Sequence, residues 1–215
     1  MPNFSLERKL WTNGVEYVIG IDEVGRGAFA GPIVGGAVIF PKIARLNKKF
    51  QFIKNINDSK LLKAKMRLKL ARLIKKYSLF HAVEEVPIGV INKYGIGYAN
   101  KMVFRKVIGK ILNEITGSSF YLLSDGYRTK YIRRFNKKNH TAIIDGDKKS
   151  MTIAAASIIA KVHRDKLMRE YSKRFKHYKF SRNKGYGTKE HQEALKKYGL
   201  TKIHRTSFEL SKFLS

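Results

Sequence analysis

The chain has 215 residues, 43 % of them hydrophobic, which suits one domain with at most a small appendage and excludes a largely disordered protein. Its charge is extreme, with 45 lysines and arginines against 16 aspartates and glutamates, for a formal +29. Such a surface attracts polyanions, nucleic acid foremost, although ribosomal-type proteins and Lys-rich compositional drift give the same balance. Cysteine is absent, which excludes disulfides and thiolate metal sites.

Residues 1–11 carry Glu7, Arg8 and Lys9 and lack the apolar stretch of a signal peptide. Tyr17 to Ile21 reads as a buried strand running into Asp22-Glu23. Gly25-Arg26-Gly27 follows, and Ile33 to Phe40 reads as a second strand, so the pair predicts an antiparallel hairpin. The uncharged run Ala28 to Phe40 is interrupted by Gly and Pro and is too short to cross a bilayer. The expectation is a soluble, cytoplasmic protein with no membrane contact. Leu62, Met66, Leu70, Leu73 and Tyr77 recur at helical spacing, with lysines and arginines on the other face. Leu79 to Val86 suits a third strand, and Gly97 to Ile115 a helix. Phe120 to Ser124 and Thr141 to Ile144 are short apolar strands, ending at Asp125-Gly126 and Asp145-Gly146-Asp147. Ser150 is a candidate N-cap for a helix that is apolar nearly all round from Ile153 to Ala160 and continues to about Tyr171. A basic segment with Gly185-Tyr186-Gly187 and a short helix from Lys189 to Tyr198 completes the chain. The pattern predicts an α/β fold: a mixed sheet flanked by helices, with a core over residues 1–165 and a helical appendage over 166–215.

With so few acids, their placement carries information. Asp22, Asp125 and the Asp145/Asp147 pair each stand at the end of an apolar strand, where ligand sites of α/β sheets gather. Carboxylates converging there repel one another unless a cation neutralises them, and an all-oxygen set suits Mg²⁺ or Mn²⁺. An isolated Asp-Gly is equally a turn dipeptide, so no single one of these positions decides the matter. Asp22-Glu23 after a buried run, with two further acidic strand ends in a basic protein, favours a site. His163, His191 and His204 lack paired ligand spacing and read as structural or phosphate-adjacent, not as metal ligands.

Six blocks, in order along nearly the whole chain, resemble ribonuclease HII: Ile21 to Val38, Asn57 to Leu62, Leu122 to Gly126, Asp145 to Asp165, Asn183 to Gly199, and Ile203 to Phe208. The resemblance implies a ribonuclease H-like core whose four acids, here Asp22, Glu23, Asp125 and Asp147, are catalytic and hold two Mg²⁺ or Mn²⁺ ions. Asp145 stands where relatives carry lysine or another residue, and its expected role is that of a turn or cap. By the same matching, Gly25, Arg26 and Gly27 read the ribose 2′-hydroxyl together with Tyr186, and Lys60 contacts phosphate. Lys161 and Arg164, one turn beyond the Ala-rich stretch, are further candidates for the strand. Relatives often carry Ser or Thr where Lys63 stands, so a helix cap is lost there, at a cost of about 1 kcal/mol.

The implied activity is metal-dependent cleavage of the RNA strand of RNA–DNA hybrids, and of duplex DNA on the 5′ side of an embedded ribonucleotide, leaving 5′-phosphate and 3′-hydroxyl ends. The enzyme is expected to act as a monomer, and the sequence is silent on a replication-clamp contact. Two alternatives stand beside it. One is another two-metal nuclease such as ribonuclease HIII, whose members usually carry an added N-terminal domain before the acidic pair. The other is a non-catalytic basic RNA-binding protein, which gains nothing from carboxylates clustered before a polyanion.

Overall fold

Strand-forming runs separated by helices collapse here onto a single mixed sheet. The computed structural model describes residues 1–42, 48–115, 119–126, 132, 135–136 and 138–214. Among these, five strands pair: β1 (Tyr17–Val24), β2 (Ile33–Ile39), β3 (Phe80–Val86), β4 (Phe120–Asp125) and β5 (His140–Ile143), in the order β3-β2-β1-β4-β5. The expected hairpin is present, with β1 antiparallel to β2 and β2 antiparallel to β3. On the other side of β1, β4 and β5 continue the sheet in parallel. The fold is therefore α/β with a mixed sheet, as the order of elements predicted.

Both faces of the central strands are covered, so their period of two shows in where side chains go and not in polarity. Ile19, Ile21, Ile33, Ala37, Ile39 and Leu122 pack beneath α3 (Ile88–Glu114). Val18, Val38 and Leu123 face the opposite side, beneath α5 (Met151–Arg174). Ser150 caps α5 as expected, its hydroxyl accepting the Ile153 N–H at 3.3 Å. Every residue from Met151 to Ala160 is buried, because this helix lies almost against the strand backbone. A Cβ added to Gly36 would strike the Ala156 carbonyl, and one added to Gly20 would strike the Thr152 backbone. Small residues on both surfaces permit that approach.

Three differences from the sequence reading matter. The helix expected from Gly97 begins at Ile88, and Gly95 (φ 79°, ψ 163°) breaks it into two pieces. An unforeseen helix, α1 (Ser5–Thr12), precedes the sheet. Its buried Glu7 accepts from the Ser150 hydroxyl (2.7 Å), the Thr152 amide (2.9 Å) and the Thr152 hydroxyl (2.9 Å), which ties it to the start of α5. Finally, α5 runs unbroken through residues 165 and 166, so the expected division falls inside a helix. Met168 on its later turns packs with Ala30, Tyr178, Phe180, Leu195 and Ile203, joining the C-terminal segment to the loop after β1. The basic helix α2 (Ala64–Tyr77) starts behind Lys63, which makes no side-chain cap. No helix among the described residues is long and apolar enough to cross a membrane.

Candidate active site

The sheet register brings the first acids together. Ile21 beside Ser124 is the last registered pair between parallel β1 and β4, so Asp22 and Asp125 follow one step further on neighbouring strands. Alternation sends both toward α5, the face already occupied by Val18 and Leu123. Asp22 is buried; it accepts the Glu23 N–H at 2.7 Å, and the Ser157 hydroxyl of α5, 3.0 Å from that of Ser59, stands near enough to favour its charged form. Asp125 accepts the Gly146 N–H at 2.6 Å, which anchors the turn α4 (Gly146–Lys149) carrying Asp147. Lys60 brings its ammonium to 4.0 Å from Asp147.

These carboxylates perturb one another. Burial, followed by the charges of Glu23, Asp125 and Asp147, holds the Asp22 pKa well above the ordinary carboxylate range. Burial and then Asp125 push Glu23 up to about 7. Asp147 is raised by burial, then by Asp125 and Asp58. Burial works to lower the Lys60 pKa, but the surrounding acids, Asp147 first, outweigh it and raise it. The cluster is thus a region of crowded negative charge that a cation would relieve. Among the described residues, no three His, Asp or Glu side chains close to the geometry of a ready metal cage. Asp145 lies outside the group: it is exposed, left-handed (φ 55°), and pairs with Lys148 at 3.3 Å.

The acids Asp22, Glu23 and Asp125 border a cavity of about 670 Å³ whose other walls include Gly25, Arg26, Gly27, Lys60, Lys161 and Tyr186. Lys60 is presented by a tight turn, its amide donating to Asp58 Oδ1 at 2.9 Å. Lys161 reaches the wall but is held by Asp165 at 2.5 Å. Arg67 sits on the other oxygen of Asp165 at 3.4 Å and donates to the carbonyls of Ser59 (2.5 Å) and Leu62 (2.7 Å). This network fixes the segment that carries Lys60.

The expectation that Arg164 contacts the strand is corrected. It is fully buried, and its guanidinium donates to the carbonyls of Pro32 (3.0 Å), Lys184 (2.8 Å) and Ala30 (3.0 Å). Three residues past Lys161 the helix has turned this side chain under the glycine loop instead of into the cavity. Gly25 (φ 95°) has no room for a Cβ because Arg164 lies there. The Arg164 guanidinium also lies 5.4 Å from the centre of the Tyr186 ring. Arg205, equally buried, donates to the carbonyls of Gly31 (3.0 Å) and Arg26 (2.8 Å). Two arginines thus brace the Gly25–Gly31 loop through its own carbonyls. Ser157, Arg67, Asp165, Arg182 and Lys184 border the cavity without having been singled out from sequence. Of these, only the i,i+4 spacing of Lys161 and Asp165 left a readable signal.

A family model described as ribonuclease HII matches residues 19–211. The chain belongs to the ribonuclease HII family. It is thereby a ribonuclease H, a hydrolase that cuts within nucleic-acid chains. Ribonuclease HII of Caldanaerobacter subterraneus subsp. tengcongensis is 42 % identical over 202 residues, covering 94 % of this chain and 78 % of the relative. That of Endomicrobium trichonymphae is 43 % identical over 205 residues, covering 95 % and 91 %. Among solved structures, the PCNA:RNase HII complex from Archaeoglobus fulgidus matches with a TM-score of 0.70 at 24 % identity, over 90 % of this chain and 95 % of that one. Bst-RNase HIII in complex with Mn²⁺ matches with a TM-score of 0.70 at 18 % identity, over 95 % and 71 %. At these identities the structural likeness bears on the fold alone.

Proposed function

We propose that Asp22, Glu23, Asp125 and Asp147 hold two divalent ions, Mg²⁺ or Mn²⁺, and that the cavity above them cuts the RNA strand of an RNA–DNA hybrid or a DNA duplex 5′ of an embedded ribonucleotide. The observation that carries this reading is the meeting of Asp22 and Asp125 on one face of adjacent strands, in electrostatic contact with Glu23 and Asp147. Four hard oxygen donors, crowded enough that the pKa values of Asp22, Glu23 and Asp147 are raised, match the chemistry of such ions, and the charge that would draw them together is the ion's own. When bound, the ions lower the pKa of an attacking water and offset charge on the leaving oxygen. Water oxygen bonds to phosphorus, the 3′ oxygen departs and takes a proton, and the ends are 5′-phosphate and 3′-hydroxyl.

The chain's own groups orient the strand. Backbone amides of Gly25 to Gly27 approach a ribose closely enough to address its 2′-hydroxyl, the group that distinguishes RNA from DNA. Tyr186 lines the same cavity as these glycines. Lys60 meets phosphate, with Arg26, Lys161, Arg182 and Lys184 raising the potential around the cavity. The basic face of α2 and the C-terminal segment, 166–215, extend the grip as a substrate-binding appendage, with affinity falling steeply as salt rises. The protein acts as a monomer in the cytoplasm.

The test is a DNA duplex bearing one ribonucleotide, incubated with and without Mg²⁺ or Mn²⁺, with the nick mapped to the base. Metal-dependent cutting 5′ of the ribonucleotide is expected, and Asp125→Asn should abolish it while leaving duplex binding largely intact. Wild-type rates in that variant would refute the site.

A further inference from the structure

Behind Tyr186 lie two buried histidines that the cleavage reading does not use. The Thr201 amide donates to His204 Nδ1 at 2.8 Å, and the Thr201 hydroxyl stands 2.9 Å from the same nitrogen. His204 Nε2 is 3.0 Å from His191 Nε2, and His191 Nδ1 is 2.9 Å from the Tyr186 carbonyl oxygen. The rings of Tyr178 and Phe180 pack around the pair, and Phe29 lies against His191. A backbone N–H can only donate and a carbonyl can only accept. His204 Nδ1 must therefore be bare, which puts the proton of its neutral ring on Nε2. His191 Nδ1 must carry a proton, which leaves its own Nε2 bare. The two ends are dictated separately, and the contact between them comes out as a donor facing an acceptor. Burial lowers the pKa of both rings, that of His204 to about 4, so the neutral forms required here are the ones populated near neutral pH.

We propose that His191 and His204 are positioning residues for Tyr186: a relay of fixed proton order, Thr201 to His204 to His191, that fastens the Tyr186 peptide to the C-terminal segment. The proposal rests on the reading of Tyr186 as a substrate contact. The Tyr186 carbonyl also accepts the Thr188 N–H at 2.8 Å, so both of its lone pairs are used, while the Tyr186 N–H donates to Asn183 at 3.0 Å. With the peptide units on both sides of the Tyr186 Cα held, the ring direction over Arg164 is set by rotation about the side-chain bonds alone. Without His191 the carbonyl keeps one partner of two and the peptide plane can tilt.

Nitrogen–proton correlation NMR on the full chain at neutral pH decides the proton order. We expect His204 protonated on Nε2 and His191 on Nδ1, and finding both on Nε2 would overturn the relay. In steady-state kinetics on the single-ribonucleotide duplex, His191→Phe should raise KM about three- to tenfold, the worth of one lost hydrogen bond, with kcat nearly unchanged. His191→Asn, which keeps a donor at the Nδ1 position, should recover most of that loss. In a Tyr186→Ala background, His191→Phe should add nothing; the same loss persisting there would show that the histidines act elsewhere. Faster amide exchange at Thr188 is expected in His191→Phe and needs no catalysis. An inactive wild-type chain would therefore sink the cleavage reading while the tautomers and exchange rates still judged the relay.

Discussion

Arg164→Leu removes the guanidinium that spans Ala30, Pro32 and Lys184. Its three bonds, at 3.0, 3.0 and 2.8 Å, are charge-assisted and buried. At roughly 1.5–3 kcal/mol each they would sum to at most about 9 kcal/mol. That sum overstates the loss, because a buried cation with no carboxylate partner carries a desolvation cost of several kcal/mol that leucine relieves. Arg205, whose pKa is lowered by burial and then by the Arg164 charge, also gains when that neighbour goes. We expect a net destabilisation of about 2–4 kcal/mol, from three orphaned carbonyls and an incompletely filled space under Gly25. For a chain of this length, that lowers Tm by roughly 5–15 °C. Urea and thermal unfolding measure it directly. Arg164→Lys, whose single ammonium cannot span three carbonyls, should fall between. If the leucine variant unfolds within about 0.5 kcal/mol of wild type, Arg164 is not the brace described here.

Other consequences follow from the same geometry. Glu23 has a folded pKa of about 7 against an ordinary 4.5, so the folded metal-free protein binds more protons than the unfolded chain between those values. Its contribution is fully present below pH 4.5 and lost as pH rises through 7, up to about 3 kcal/mol; thermal melts without metal should show this slope flattened in Glu23→Gln, and an unchanged slope would contradict the assignment. Because Mg²⁺ competes with that proton, the rise in Tm on adding it should be larger at pH 8 than at pH 6; equal shifts would argue against Glu23 as a ligand. Gly36→Ala forces a methyl into the Ala156 carbonyl and should cost about 1–3 kcal/mol in denaturant unfolding, with a neutral result showing that α5 can retreat. Lys63→Ser restores a cap where none is made and should add about 1 kcal/mol to stability by the same measurement.

The elements legible in the sequence were those whose pattern answers to local rules. All five strands, the basic helix after Lys63 and the Ser150 cap were readable from apolar runs and one capping residue, each within a few positions of the structure. The helix Ser5–Thr12 was not, because its main tie is tertiary: Glu7 reaching 143 and 145 residues along the chain to Ser150 and Thr152. Gly95 hid the helical turns before it. Among the acids, Asp22 and Asp125 could be placed at strand ends, but their adjacency depends on parallel pairing between strands about a hundred residues apart, which residue types do not encode. Asp147 reads as a strand end and lies instead in a helical turn pinned by Asp125. Arg164 was misread for a physical reason. Arginine is rarely buried without an acid, and its partners here are backbone carbonyls, which leave no trace in a sequence.

Helix α5 carries Ser157 under Asp22, then Lys161 on the cavity wall, then Arg164 beneath the glycine loop and Tyr186. Under the proposed function, scission and selectivity therefore share a single rigid ruler. Any change that slides it along the sheet shifts both at once, in a ratio set by helical rise, and a variant that relaxes preference for ribose without slowing turnover has to alter the loops and spare the ruler.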